Sequence, residues 1–113
     1  MNEPQKVTPA QIEAEIEAEY STTLDRAYSF APLVEGLDRV TIHTIVLRNG
    51  AKLVGVNYGA IVPANHSDEE GRKQARAAAF DQAWPLFGFR LRDQLHEQDV
   101  RDFNEDHPPE SEA

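Results

Sequence analysis

Cysteine is absent from the 113 residues, which removes disulfides and thiolate metal sites in one stroke and suits a reducing compartment. No apolar run approaches the roughly 20 residues that a membrane helix needs, so no membrane partner is expected. The opening Met1-Asn2-Glu3-Pro4 has neither the basic nor the apolar stretch of a secretory leader. The expected location is the cytoplasm. An excess of basic charge is missing too: the formal net charge is −9. The acids are gathered at the two ends, five Glu against Lys6 in residues 1–21 and six acids against Arg101 in residues 98–113, which leaves residues 22–97 balanced. A nucleic-acid-binding body is usually basic, so nucleic acid is a disfavoured partner. Mimicry of DNA is disfavoured as well, because many of these carboxylates fall on an expected tail.

What is present is one domain's worth of chain, with 40% apolar and 27% charged residues. Thr8-Pro9-Ala10-Gln11 carries a capping box with proline at the first helical position. Ile12, Ile16 and Tyr20 follow at every fourth position, predicting a helix over residues 9–20. Glu13, Glu15, Glu17 and Glu19 read as its solvated surface. Residues 21–36 read as a loop with a short turn near 25–28, punctuated by Pro32 and Gly36. The β-branched run Val40-Thr41-Ile42-His43-Thr44-Ile45-Val46-Leu47 then meets Asn49-Gly50, a strong hairpin signal. A two-residue turn there would set Val46 against Leu53, Ile45 against Val54 and His43 against Val56. Both hairpin faces then carry apolar side chains, and a lone hairpin is marginal in water. Helices of the same chain are expected on one face, and a second copy or another partner on the other.

Ser67 or Asp68 opens a second helix, with Asp68-Glu69-Glu70 at its positive end. Its alanines favour helix and close approach, and Pro85 is expected to end or kink it near Trp84. A third helical stretch over residues 85–97 follows, then an acidic tail over 98–113 expected to be disordered. The fold class is therefore α+β: an N-terminal helix, an antiparallel hairpin and two C-terminal helical segments packed on it. Residues 1–7 are read as a flexible N-terminus and 8–97 as the domain.

Candidate chemistry is sparse. His43, His66, His96 and His107 are scattered and lack metal-ligand spacing. Gly55 and Gly59 do not lead directly into a helix as a phosphate loop would, and no serine sits in a nucleophile elbow. No cofactor, metal or catalytic residue is nominated. Arg72, Lys73 and Arg76 cluster on the second helix. With Asn57 and Tyr58 they form the candidate binding set for a nucleotide-like anion. The alternative for the cationic three is a solvated face, with Asp68–Arg72 and Glu69–Lys73 as ordinary helical pairs. Trp84 and Phe89 read as core anchors, with Gly88 allowing close packing between them.

The ordered set Val46-Leu47-Arg48-Asn49-Gly50, Gly71-Arg72-Lys73 with Ala75, and Ala83-Trp84-Pro85-Leu86 with Gly88-Phe89 and Leu91 resembles a family. It is a family of small tailed-phage and prophage proteins named for a coliphage gene product forty-nine and a Shigella-phage gene sixty-six. The resemblance covers residues 37–95. It implies a phage or prophage origin and an accessory role without an established activity. Gly55-Val56-Asn57-Tyr58 stands where that family tends to have a Gly-Glu-Ser-Ala-like run, and His66 stands at a usual aromatic. Glu70 and Gln74 replace common aliphatics. A ligand held by the missing Glu or Ser does not carry over. The expectation is a non-catalytic protein that binds a host or phage protein, acting as a homo-oligomer through a hairpin face.

Overall fold

A computed structural model describes residues 6–106. The element order is α1 (Pro9–Ala14), β1 (Ile16–Thr23), α2 (Leu24–Ala27), β2 (Thr41–Leu47), β3 (Lys52–Asn57), α3 (Asp68–Asp81) and α4 (Ala83–Asp106), with 3-10 turns before β2 and before α3. The class is α+β, a three-stranded antiparallel sheet in the order β1-β2-β3 with helices packed on it.

The capping box forms: Thr8 Oγ1 accepts from the Gln11 amide at 3.2 Å, and Gln11 Oε1 accepts from the Thr8 amide at 3.0 Å. The helix it starts is shorter than the fourfold apolar spacing predicts. α1 stops at Ala14, and residues 16–23 form a strand instead. Glu15 turns the chain, and its carbonyl accepts from the Arg48 amide. Beyond it, Ile16, Ala18, Tyr20 and Thr22 also fit a two-residue period, and pairing with β2 wins because a third strand steadies a hairpin that is weak alone. Ile16 pairs with Leu47 and Ala18 with Val46, so Glu17 is the extra residue of a bulge.

The hairpin is present, one residue out of the expected register. Gly50, at φ 91°, lies in the left-handed region, and its amide donates to Leu47 O while the Leu47 amide donates to Ala51 O. The loop is therefore Arg48-Asn49-Gly50, three residues closed by a glycine bulge. Val46 meets Lys52, Ile45 meets Leu53, Thr44 meets Val54 and Ile42 meets Val56. A one-residue slip moves every side chain to the other face. Leu53 thus joins Thr41, His43, Ile45 and Leu47 on the buried side.

That side receives α3. Gly71, Ala75, Ala79 and Ala83 recur every fourth residue and are all buried. Where α3 crosses β3, a Cβ on Gly55 would lie 2.2 Å from Ala75 O and 2.4 Å from the Ala79 amide nitrogen. Helix backbone therefore rests directly on strand backbone. The core gathers Ile12, Ile45, Leu47, Leu53, Ala79, Ala83 and Phe87, flanked by Val7, Ile16, Phe80 and Trp84.

The break between the C-terminal helices lies at Gln82, short of Trp84. Pro85 falls in the first turn of α4, where no intrahelical N–H bond is lost. Trp84 packs against the core as expected. Phe89 does not: it is 70% exposed, and Phe87 at 5% takes the buried place. A Cβ on Gly88 would meet nothing within 4 Å, so that glycine serves no close packing. α4 is 24 residues long, and every residue from Arg92 to Asp106 is exposed. This projecting helix stretches the molecule to 75 × 31 × 20 Å. The helix thus runs through residues 98–106, where the sequence suggests a disordered tail. Residues 1–5 and 107–113 of the two expected flexible ends lie outside the described residues.

Candidate interaction surface

Two regions stand out: a charged network between α3 and β1, and the sheet face away from the helices. In the network, Arg76 on α3 donates from Nε to Glu19 Oε1 at 2.8 Å and from Nη2 to Glu13 Oε1 at 3.1 Å. Glu19 Oε1 also lies 2.7 Å from His43 Nε2. The guanidinium holds the Glu19 carboxyl below its usual value, against the opposing effect of partial burial, with the His43 bond adding to the lowering. Glu19 in turn raises Arg76. His43 is 8% exposed, and its Nδ1 is buried with no hydrogen-bond partner among the described residues. Glu13 and Glu19, read from sequence as solvated surface, are therefore the ion-pair partners of Arg76.

The five predicted site residues are spread over both edges of the sheet. Arg76 is taken up by Glu13 and Glu19 near the β1 edge. Arg72 lines a cleft of about 60 Å³ with Ser21, Thr22, Thr23, Arg26, Thr41 and Asp68. Lys73 is exposed. Asn57 ends β3 on the opposite edge, and its Oδ1 accepts from the Gly59 amide, shaping the exit of the strand. Tyr58 is 77% exposed. Among the described residues neither Asp68–Arg72 nor Glu69–Lys73 closes as an ion pair; Asp68 instead lies 2.8 Å from His66 Nε2. No group of three or more acidic or histidine side chains among the described residues could hold a metal ion.

The second region follows from the register. With Thr41, His43, Ile45 and Leu47 turned to the helices, Ile42, Thr44 and Val46 point the other way. Their cross-strand partners on that face are Thr22, Tyr20 and Ala18 from β1 and Val56, Val54 and Lys52 from β3. Tyr20 is 63% and Val54 46% exposed there. At strand spacings of about 4.8 Å and 3.3 Å per residue, three strands make a face of roughly 300 Å², on which Thr22, Thr44 and Lys52 interrupt the apolar side chains. Tyr20 belongs to it only because residues 16–23 are a strand. The signal was in the sequence, as apolar–polar alternation over residues 16–20 followed by the β-branched Thr22-Thr23, but the competing fourfold spacing masked it.

No described helix is long and apolar enough to cross a membrane. No curated protein and no solved structure matches the chain. Its hairpin, its Gly71 helix and its Trp84-Pro85 junction do fall within a stretch that matches a family. Residues 7–95 match the phage protein (N4 Gp49/phage Sf6 gene 66) family, and the chain belongs to that family.

Proposed function

We propose that this phage protein is a non-catalytic binding protein that takes a host or phage protein on the open face of its sheet and works as a homo-oligomer. The observation that carries the reading is the apolar face of Ile42, Val46, Val54 and Val56 with Tyr20, on which Tyr20 and Val54 stay well exposed. An aromatic with a polar tip, set among β-branched residues and threonines, suits a protein interface better than a lipid or nucleic acid surface. The reading sets the protein's work in the cytoplasm of the bacterial host. A Val54→Lys, Tyr20→Lys variant tests it. Wild type and variant would be captured from phage-infected cells, with far-UV circular dichroism confirming that both fold. One protein held in stoichiometric amount by the wild type and lost by the variant supports the reading. Equal capture by both proteins overturns it.

A second reading, a small anionic ligand, has one observation in its favour: Arg26 and Arg72 line a cleft with Ser21, Thr22, Thr23 and Thr41, against the single opposing charge of Asp68. The volume of the cleft admits a phosphate-sized ion and not a nucleotide, whose pockets run to about 300 Å³ or more. Thermal stabilisation by inorganic phosphate, lost in Arg72→Ala, would favour it. An unchanged melting temperature across phosphate concentrations would remove it.

A further inference from the structure

Loops are polar as a rule, because they run over the surface and meet water. The two longest loops between the described strands and helices break that rule. Residues 27–34 and 58–67 hold none of the chain's 20 acids or 11 bases, and they carry Phe30-Ala31-Pro32-Leu33-Val34 and Ala60-Ile61-Val62-Pro63-Ala64. Phe30 is 81%, Val34 74%, Tyr58 77% and Ile61 94% exposed, and Tyr28 and Val62 are half exposed. The sheet brings the two segments to one end. Thr23, Thr41 and Asn57 stand in line across the strands, so the chain leaves β1 and β3 and enters β2 on the side away from the hairpin turn. The Leu24 amide donates to Val40 O at 3.1 Å, which ties the start of the first loop to the entry of β2. Gly59, at φ 82°, sits so close to the same entry that a Cβ there would lie 2.3 Å from Arg39 O. Both loops are thus rooted at the turn Leu37–Arg39. The Tyr28 and Phe30 rings meet edge to face, with centroids 6.0 Å apart.

We propose that a second copy of this chain docks on this loop end, the same two loops of each copy meeting across a twofold axis. This gives a surface to the homo-oligomer of the reading above and rests on that reading. The exposed area suits a stable contact. At roughly 200 Å² per aromatic side chain, Tyr28, Phe30 and Tyr58 together leave about 400 Å² in water. Val34, Ile61 and Val62 bring the total toward the roughly 800 Å² that one partner buries in a standard interface.

Charge selects a second copy over other occupants. The chain carries −9, so two copies repel wherever their carboxylates come face to face. The two loops bring no carboxylates of their own, and Glu35 at their border is held by Arg39 at 2.8 Å. A twofold interface sets the same patch of both subunits together, so a neutral apolar patch pairs with itself without a like-charge penalty. Interfaces between identical subunits are also more apolar and poorer in charge than those with transient partners. An anionic lipid surface would call for lysines and arginines around the loops. The flanking residues hold Asp25, Glu35 and Asp38 against Arg26 and Arg39, an acidic balance that such a surface repels.

Light scattering on the full chain is the test, with Phe30→Glu and Ile61→Glu as variants, one in each loop. Both side chains stand in water, so the fold should survive, and circular dichroism checks that it does. The expected mass is twice 12.7 kDa for the wild type and 12.7 kDa for either variant. The Val54→Lys, Tyr20→Lys variant of the open sheet face should stay dimeric. A dimer that survives both Phe30→Glu and Ile61→Glu overturns the proposal and leaves the homo-oligomer reading standing on another surface. If that dimer is lost in the Val54→Lys, Tyr20→Lys variant, the second copy sits on the sheet. A wild type that stays monomeric at hundreds of micromolar overturns both the proposal and the homo-oligomer reading, while capture of a partner on the sheet face stands or falls separately. A monomer that sediments with vesicles of phosphatidylglycerol and phosphatidylethanolamine, and loses them in Phe30→Glu, overturns it in favour of a lipid surface.

Discussion

Arg76 Nε and Glu19 Oε1 stand 2.8 Å apart although 57 positions separate them in the chain. This bond ties α3 to β1, the edge strand that converts a marginal hairpin into a sheet. Glu13 completes the grip from α1. The network gives a pH prediction with a definite sign. The folded-state value of Glu19 is lowered from 4.5, first by Arg76, so the folded protein holds fewer protons there than the unfolded chain. Its contribution is present above about pH 4.5 and is lost as pH falls through the folded-state value. Arg76→Met should cost about 1 kcal/mol near neutrality. It should also make the loss of stability from pH 5 to pH 3 shallower than in wild type. Urea denaturation across that range measures both, and parallel curves for the two proteins would remove Glu19 from the acid response.

His43→Leu should be close to neutral. The substitution removes one bond to Glu19, which keeps Arg76, and it also removes a buried Nδ1 that lacks a partner among the described residues. Replacing an unsatisfied polar group by an apolar one offsets the lost bond. A change within about 1 kcal/mol in chemical denaturation is the expected result, whereas a loss of 3 kcal/mol or more would mean that the Nδ1 atom has a role in holding the sheet.

Gly55→Ala should be among the most damaging small substitutions in the chain. The added Cβ would meet Ala75 O and the Ala79 amide nitrogen, both helix backbone, so α3 must lift from β3. Overpacking of this kind costs about 3 kcal/mol or more. Gly50→Ala offers the comparison. A Cβ there meets nothing, so the expected cost is only the left-handed backbone, about 1 kcal/mol. The ratio of the two losses, measured by urea midpoints, separates close approach from turn strain.

Phe87→Ala and Phe89→Ala should differ sharply. Phe87 fills the core at 5% exposure, while Phe89 is 70% exposed. Truncation at 87 should cost about 3 kcal/mol or more, and at 89 less than about 1 kcal/mol to the monomer. Melting temperatures taken at low protein concentration read the monomer alone. Equal losses would mean that α4 is rotated on the body.

Several features could be read before any coordinate was known because their causes are local. The capping box at Thr8 and Gln11 needs only neighbouring residues, and so does the punctuation at Asn49-Gly50 and Ser67. The family pattern of the hairpin, the Gly-Arg-Lys helix and the Trp-Pro junction is likewise a property of the string. So were the two-sided apolar hairpin and the α+β class. Misreadings arose wherever two local patterns competed. Residues 16–20 satisfy both a fourfold and a twofold apolar period, and only the offer of β2 as a neighbour decides for the strand. Asn49-Gly50 fits both a two-residue and a three-residue turn. The choice fell to the packing of Leu53 with Ile45 under α3.

The sequence by itself determined the capped start of the first helix, the hairpin, the two C-terminal helices and the absence of thiol chemistry, because propensity, capping and composition act over a few residues. Tertiary structure alone decided which glutamates hold Arg76, which phenylalanine is core and which face of the sheet stays open. Each of those depends on the register of one strand and the rotation of one helix. A single-residue slip or a hundred-degree turn exchanges inside for outside without changing a local preference.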